Sequence, residues 1–356
     1  MNSFFSVLFA IFLFSILIFV HELGHFICAK LSGVQVNEFS MFMGPAIWKK
    51  KKGETLYSIR CIPLGGYCAM EGEDSDTENP KSFQKAKWWK RLIVLLAGAA
   101  MNFIIGLMIL LIVYAPSQAF ISPTIGGFYD YCTIDDGEDG LQVGDRFVEI
   151  DGEKIYMYSD FSLIIGLNEN AENKHDIVVE RNGELVYLDD FVLEYHDRGE
   201  EGKLLGFTFD TEEATFGKKL SYTWKTAANW VRSVRLSLQM LVSGKASIAD
   251  MAGPVGIVDT MTDVAGESAT VGDAILNLLY FGAFLAVNLA VMNLLPIPAL
   301  DGGRVVGLLL TTAVEAITKK KLDPKYEGYI HAAGMILLLA LMAFIFFKDI
   351  FMIFTR

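Results

Sequence analysis

The sequence predicts a polytopic α-helical membrane protein with strand-rich segments outside the bilayer, and three observations carry that expectation. Of its 356 residues, 53% are hydrophobic, and the mean hydropathy of +0.38 exceeds what a soluble domain of this size ordinarily reaches. Four runs meet the requirement of about 20 apolar residues per span: Ser3 to Ala29, Leu92 to Ala115, Ala274 to Leu295, and Ile330 to Phe347 with an extension to Phe354. Elsewhere, Val34 to Met70 and Gly140 to Ile155 alternate apolar and polar residues at the period of a strand.

The first run reads as a retained span and not a removable leader. Met1-Asn2-Ser3 offers no basic region, the apolar stretch is too long, and no small-x-small cleavage site follows it. Lysine and arginine place the loops. Lys30, Lys49 to Lys52, Arg60, Lys81, Lys85, Lys87, Lys90 and Arg91 lie between the first two runs, and Lys319, Lys320, Lys321 and Lys325 between the last two. By the positive-inside rule both loops are cytoplasmic, so the termini and the segment 116–273 face outside. Most of the net charge of −12 falls in that outer segment, as a solvated acidic surface that gives no basis for nucleic-acid binding. Cys28, Cys61, Cys68 and Cys132 are scattered and form neither a C-x-x-C pair nor a disulfide framework.

Inside the first span stands His21-Glu22-Leu23-Gly24-His25, an HExxH pentad. Two imidazoles one helical turn apart share a helix face and can share a zinc ion, while the intervening Glu22 can take a proton from water. Ionisable groups are costly in a span and are normally kept there for function. From Ser3 to His21 the helix rises about 27 Å against an apolar core of about 30 Å, which puts the pentad towards the cytoplasmic end.

A catalytic zinc takes three protein ligands and leaves one position open, so a third donor is required. Asp301 is a candidate. It follows Asn293-Leu294-Leu295-Pro296-Ile297-Pro298-Ala299-Leu300, whose Pro-x-Pro must break the third span and free backbone of the kind tolerated at membrane depth only inside protein or beside a wet cavity. Spacing leaves open a helix-capping or turn role for Asp301, and His331 at the start of the fourth span is an alternative donor. His175 and His196 read as surface histidines of the outer segment.

These residues, with Phe39 to Pro45, Ile62 to Tyr67 and Gly98 to Asn102, occur in the order and spacing of the site-2 proteases. The chain resembles the PDZ-containing bacterial group that includes the regulator of sigma-E protease and its Gram-positive counterparts. The resemblance implies His21, His25 and Asp301 as ligands of Zn2+, Glu22 as the general base, and Asn293, Pro296 and Pro298 as substrate-binding residues. The alternative for Asn293 is interhelical hydrogen bonding; for Gly98 and Asn102 close helix packing is the preferred reading.

The resemblance further implies that Val34 to Met70 is a membrane-associated β-hairpin able to pair with an unwound substrate. Gly140 to Ile155 is similar to the GL-x-x-GD segment of PDZ domains, with an acidic insertion, Thr133 to Asp139, that departs from the common pattern. Gly126 and Gly127 are read there as a turn or a carboxylate-binding loop. Ser221 to Val242 reads as an amphipathic helix at the outer interface or packed on the PDZ-like domain.

The expected organisation is a first transmembrane helix (1–30), a cytoplasmic loop with β-strands (31–88), a second helix (89–116), an extracytoplasmic PDZ-like α+β domain (117–215), an interfacial helix and linker (216–272), a third transmembrane segment (273–318), and a cytoplasmic turn with the fourth helix (319–356). The implied function is zinc-dependent intramembrane proteolysis of single-span membrane proteins, of the anti-sigma-factor or remnant-signal-peptide type, in the bacterial cell membrane. Peptide or protein contact through the PDZ-like domain is expected. A catalytically silent PDZ adaptor is the competing reading.

Overall fold

The computed structural model describes residues 3–73, 77–130, 140–168, 172–193, 195–197, 203–245, 247, 253–266, 268, 270–319 and 325–355. The chain divides into two compact units, Met1–Val113 with Trp230–Arg356, and Tyr114–Asn229.

The first unit is helical. Four helices are long and apolar enough to cross a membrane, α1 (Ser3–Ser32), α2 (Trp88–Tyr114), α6 (Val271–Asn293) and α8 (Lys325–Thr355), so the protein is a multi-pass membrane protein with additional β-sheet. Mid-span, Ala10, Leu13 and Leu17 of α1 pack on Leu278, Leu285 and Ala286 of α6 and on Met261 of α5 (Pro254–Gly266), a helix within the expected linker. Small residues bring α1 and α2 together: a Cβ on Gly24 would lie 2.4 Å from the Ala97 carbonyl oxygen. A second cluster joins Ala29, Val34, Val36, Phe39, Cys68 and Met70 to Val94 and Leu95 of α2 and to Leu308 of α7 (Asp301–Thr318).

The strands β1 (Val36–Lys52) and β2 (Thr55–Met70) form the expected hairpin, closed at Gly53 and Glu54. It folds over on itself. Phe42 and Gly44, at φ of 70° and 84°, bend β1, and Glu38 to Met41 consequently has Leu56 to Ile59 on one side and Gly66 to Ala69 on the other. Arg60 fixes the bend by donating to the Gly44 carbonyl, 2.6 Å, and to Glu38, 2.8 Å.

Pro296 and Pro298 interrupt the third hydrophobic segment as expected: α6 ends at Asn293 and α7 begins at Asp301. Large apolar residues along α8, among them Leu337, Met342 and Phe347, are exposed. Its contacts concentrate near its ends, where His331 meets Ala299 and the Asp349 carboxylate accepts the Gly256 N–H at 3.2 Å.

The second unit is built on a sheet of order β10-β3-β4-β6-β7, comprising β3 (Ala119–Phe128), β4 (Arg146–Ile150), β6 (Lys174–Arg181), β7 (Glu184–Val192) and β10 (Phe207–Glu213), with β5 (Glu153–Lys154) beside β4 and a separate pair of β8 (Tyr195–Asp197) and β9 (Lys203–Leu205). Phe147 of β4 packs on Phe161 of α3 (Tyr158–Leu167), and Ile150 of β4, Ile177 and Val179 of β6 and Ile164 of α3 are buried. Asp151-Gly152 makes the expected tight turn, with φ of 51° and 79°. Asp145, fully buried, accepts two hydrogen bonds from Arg181 at 2.8 and 2.7 Å.

Three expectations change. Gly126 and Gly127 form neither turn nor loop: they lie within β3, where Gly127 pairs with Thr208 of β10. His175 is not a surface residue. It is 2% exposed, on the inward face of β6, with Nδ1 2.8 Å from Asp151. The amphipathic helix α4 (Phe216–Val242) begins earlier and divides between the units: Tyr222 stacks on Phe120 in the sheet unit, whereas Trp230 packs edge-on against Tyr280 and Phe284 of α6. Its second half therefore lies along the third span. The acidic insertion Thr133 to Asp139 and Cys132 lie outside the described residues.

Candidate metal centre

The HExxH pentad lies within α1, so the helix itself sets the spacing of its two imidazoles. His21 and His25 are 9% and 7% exposed, with Nε2 atoms 3.1 Å apart. The broken third segment brings Asp301 to them. Its Oδ2 is 3.1 Å from His21 Nε2 and 3.2 Å from His25 Nε2. Although in the first turn of α7, Asp301 does not cap it; the capping position is Leu300.

This triangle fits a metal ion better than a hydrogen-bond network. Asp301 Oδ2 is buried without a hydrogen-bond partner of acceptable geometry, and three lone-pair-bearing atoms converge on one point. Its edges of 3.1, 3.1 and 3.2 Å are close to the roughly 3.3 Å separation that tetrahedral Zn–N and Zn–O bonds of about 2.0–2.1 Å require. Among the described residues, these three are the group of histidine, cysteine and acidic side chains arranged to hold a metal.

Surrounding groups orient the imidazoles. His25 Nδ1 lies 2.8 Å from the Val94 carbonyl oxygen, which can only accept, so Nδ1 carries the proton and Nε2 keeps its lone pair for a metal. The Asn293 amide lies 3.4 Å from His21 Nδ1. With its oxygen turned to the ring, a flip that exchanges near-equivalent atoms, the amide accepts from His21 Nδ1–H and leaves Nε2 similarly available.

Gly98 faces the imidazoles from α2. A Cβ there would lie 2.4 Å from His25 Nε2 and 2.7 Å from His21 Nε2, so its lack of a side chain keeps the ligand pocket open rather than serving helix packing alone. Glu22 faces the sheet, where a Cβ on Gly66 would lie 3.8 Å from its Cγ. The same stretch of β2 is tied to α1 lower down, as Ser15 Oγ donates to the Pro63 carbonyl at 2.7 Å. Pro298 touches Gly334 of α8, Pro296 lies in the bend between α6 and α7, and His331 is outside the ligand triangle.

Two contacts had no signal in the sequence. The Val94 carbonyl is backbone, which residue identity does not reveal. Arg304, one turn past Asp301, pairs with Glu73 beyond the end of β2; residues so distant in sequence are joined only by the fold.

Two buried histidines of a membrane-length helix, joined by Asp301 from α7, make a site of the kind a membrane metalloprotease needs, and the comparisons agree. Residues 9–341 match peptidase family M50. The chain belongs to that family, the site-2 proteases, and is a zinc metalloprotease. It is 35% identical over 349 residues to a chain of Clostridium acetobutylicum provisionally named a zinc metalloprotease, covering 98% of each. It is 30% identical over 429 residues to the zinc metalloprotease RasP of Bacillus licheniformis, and 28% identical over 427 residues to the regulator of sigma-W protease RasP of Bacillus subtilis; in both, 96% of this chain and 97% of the relative are covered.

Proposed function

We propose that this protease cuts single-span membrane proteins within the bilayer, using His21, His25 and Asp301 as zinc ligands and Glu22 as the general base. The observation that carries the reading is the convergence of Asp301 on His21 and His25, two residues of the apolar, membrane-length helix α1. Zinc held there supplies Lewis acidity towards the scissile carbonyl and makes water more acidic. Glu22 takes the proton from the attacking water and delivers it to the leaving amine. Val94 and Asn293 hold the two imidazoles in their ligating orientations. Asn293 beside His21 also stands where a neutral amide can hydrogen-bond a substrate backbone.

A substrate helix must unwind before it can be cut, and its freed backbone needs partners at membrane depth. The segment from Ile62 to Gly66 is suited to provide them. It pairs on one side with Met43 and Met41, runs beside α1 from Ser15 to Glu22, and among the described residues has no strand on its other side. Strand addition there would bring an extended peptide past Glu22.

The sheet unit is read as a PDZ-like module. A cavity of about 510 Å³ lies between α3 and the edge strand β10, lined by Tyr158, Phe161, Ile165 and Phe209 among others, a form suited to an extended peptide. Substrates of the anti-sigma-factor type accord with the name of the Bacillus subtilis relative. The test is to measure zinc content and cleavage of a single-span substrate on the purified chain together. Zinc bound at one equivalent with cleavage abolished by Glu22→Gln supports the protease; a folded chain that neither binds zinc nor cleaves is the adaptor instead.

A further inference from the structure

The bend that delivers Asp301 contains an unusual accounting of backbone donors. Pro296 and Pro298 have no N–H. Of the remaining residues from 295 to 300, Leu295 donates to Met292, Ile297 to Leu295 and Leu300 to Ile297, all within the bend or the end of α6. Ala299 alone reaches elsewhere, donating to His331 Nδ1 of α8 at 3.1 Å. Ala299 also has φ of 80°, in the left-handed region that residues with a side chain disfavour, so the surroundings must hold it there.

A second observation places α8 against the same point. One turn beyond His331, a Cβ on Gly334 would lie 2.4 Å from Pro298 Cβ and 2.7 Å from its carbonyl oxygen. The first turns of α8 thus press directly on Pro298 and Ala299, three and two residues before the ligand Asp301. Most of α8 beyond this contact presents exposed apolar side chains, so the approach is local and not the incidental result of packing along the whole helix.

We propose that His331 is a positioning residue of the metal centre: by accepting the Ala299 N–H, it clasps the Pro-x-Pro bend in the shape that presents Asp301 Oδ2 to the two imidazoles. The proposal rests on the ligand assignment above and extends it to a residue that touches no metal. An Nδ1 already engaged by a backbone N–H serves as an acceptor, not as a ligand. Loss of that acceptor leaves a backbone donor unsatisfied in a low-dielectric setting and frees the strained bend to relax, which moves Asp301 out of register with His21 and His25.

The chemistry offers a discriminating set of variants. Asn Oδ1 and His Nδ1 are both attached to Cγ, so His331→Asn keeps an acceptor at the same place, whereas His331→Leu keeps bulk without one. Gly334→Ala forces α8 away from Pro298 and leaves His331 unaltered. The full-length protein and each variant are titrated with a zinc chelator, with thermal unfolding to verify the fold and kcat and KM measured on a single-span substrate.

We expect zinc affinity to fall about tenfold to a hundredfold in His331→Leu, to fall in the same direction in Gly334→Ala, and to stay within about threefold of the parent in His331→Asn, the size of change expected when the hydrogen bond is kept. Turnover should fall with kcat, with KM little changed. Parental affinity in folded His331→Leu or folded Gly334→Ala overturns the clasp, as does an Asn variant as weak as the Leu variant. If the substitutions prevent folding, loss of fold in His331→Leu with full rescue by Asn still supports the acceptor role, and loss in both overturns it. Asp301→Ala separates the two levels: its loss of zinc beside an unaffected His331→Leu rejects the clasp alone, whereas its retention of parental zinc affinity rejects the ligand assignment and the clasp with it.

Discussion

Gly98 of α2 stands directly against His25 of α1, so close that a Cβ would lie 2.4 Å from its Nε2. A methyl group at that distance must displace the imidazole or fill the position meant for a metal. Gly98→Ala should therefore abolish zinc binding and reduce proteolysis by at least about a hundredfold, as expected when metal-ligand geometry is lost. Metal analysis of the purified variant, with circular dichroism to confirm its helices, decides the matter; a zinc-loaded, active Gly98→Ala would show that α2 can move aside.

Glu22 and Asp301 are both carboxylates of the centre but should fail differently. Glu22→Gln is nearly isosteric and removes the base, so zinc should remain while turnover falls by about 10²–10⁴. Asp301→Asn exchanges a charged ligand for a weak neutral one and should lose zinc as well as activity. Parallel measurement of zinc content and cleavage distinguishes them, and parental turnover in Glu22→Gln would eliminate the assigned mechanism.

Arg304 and Glu73 join the first turn of α7, which begins at Asp301, to the segment after β2. Both are partly buried, at 26% and 19% side-chain exposure, so the pair is shielded more than a surface ion pair. A double-mutant cycle of Arg304→Met and Glu73→Gln should give a coupling energy of about 0.5–3 kcal/mol in stability. Strict additivity of the two variants would mean that the pair does not brace α7.

Acid should loosen the β1–β2 hairpin at Glu38. Burial raises this carboxyl, but hydrogen bonds from Arg60, Ser58 and Tyr67 outweigh it and hold Glu38 below its ordinary value of 4.5. A carboxyl depressed in the folded state contributes stability that is present above its unfolded pKa and lost as pH falls through the folded one. Hydrogen exchange of hairpin amides should accordingly speed up below the ordinary carboxylate range in the parent relative to Glu38→Gln. Identical acid profiles in the two proteins would exclude Glu38 as the source.

The sequence made the chemistry more legible than its supports. Pentad spacing is local, and α1 preserves it; the Pro-x-Pro break is equally local, because missing N–H groups end a helix wherever they occur. Long-range support is different. Nothing about Gly98 in an apolar run distinguishes a packing glycine from one facing two imidazoles, and the Arg304–Glu73 pair depends on the folded path of β2. The fold-over of the hairpin was hidden too, since alternation reports a strand but not that Glu38 to Met41 has neighbours on both sides. Some signals were present and unread. His175 shares the period-two inward face of Ile177 and Val179, and Asn182-Gly183, with φ of 53° and 85°, is the tight turn between β6 and β7 that an Asn-Gly pair favours.

The orientation of the chain in the membrane is the remaining prediction. Lys49 to Lys52 lie at the tip of the β1–β2 hairpin, and Lys319 follows α7, both in segments that join consecutive membrane-length helices. Positive charge beside such helices is retained on the cytoplasmic side. Two helices with both connecting basic segments inside require the sheet unit, which joins the second helix to the third, to lie outside. Reporters inserted after Lys52 or at Lys320 should therefore be inaccessible to a membrane-impermeant reagent in intact cells, and one at Gly202 should be labelled. Labelling of the Lys52 reporter with protection of the Gly202 reporter would invert the topology and would place the metal centre, which lies near the end of α1 that enters the hairpin, on the opposite side of the membrane.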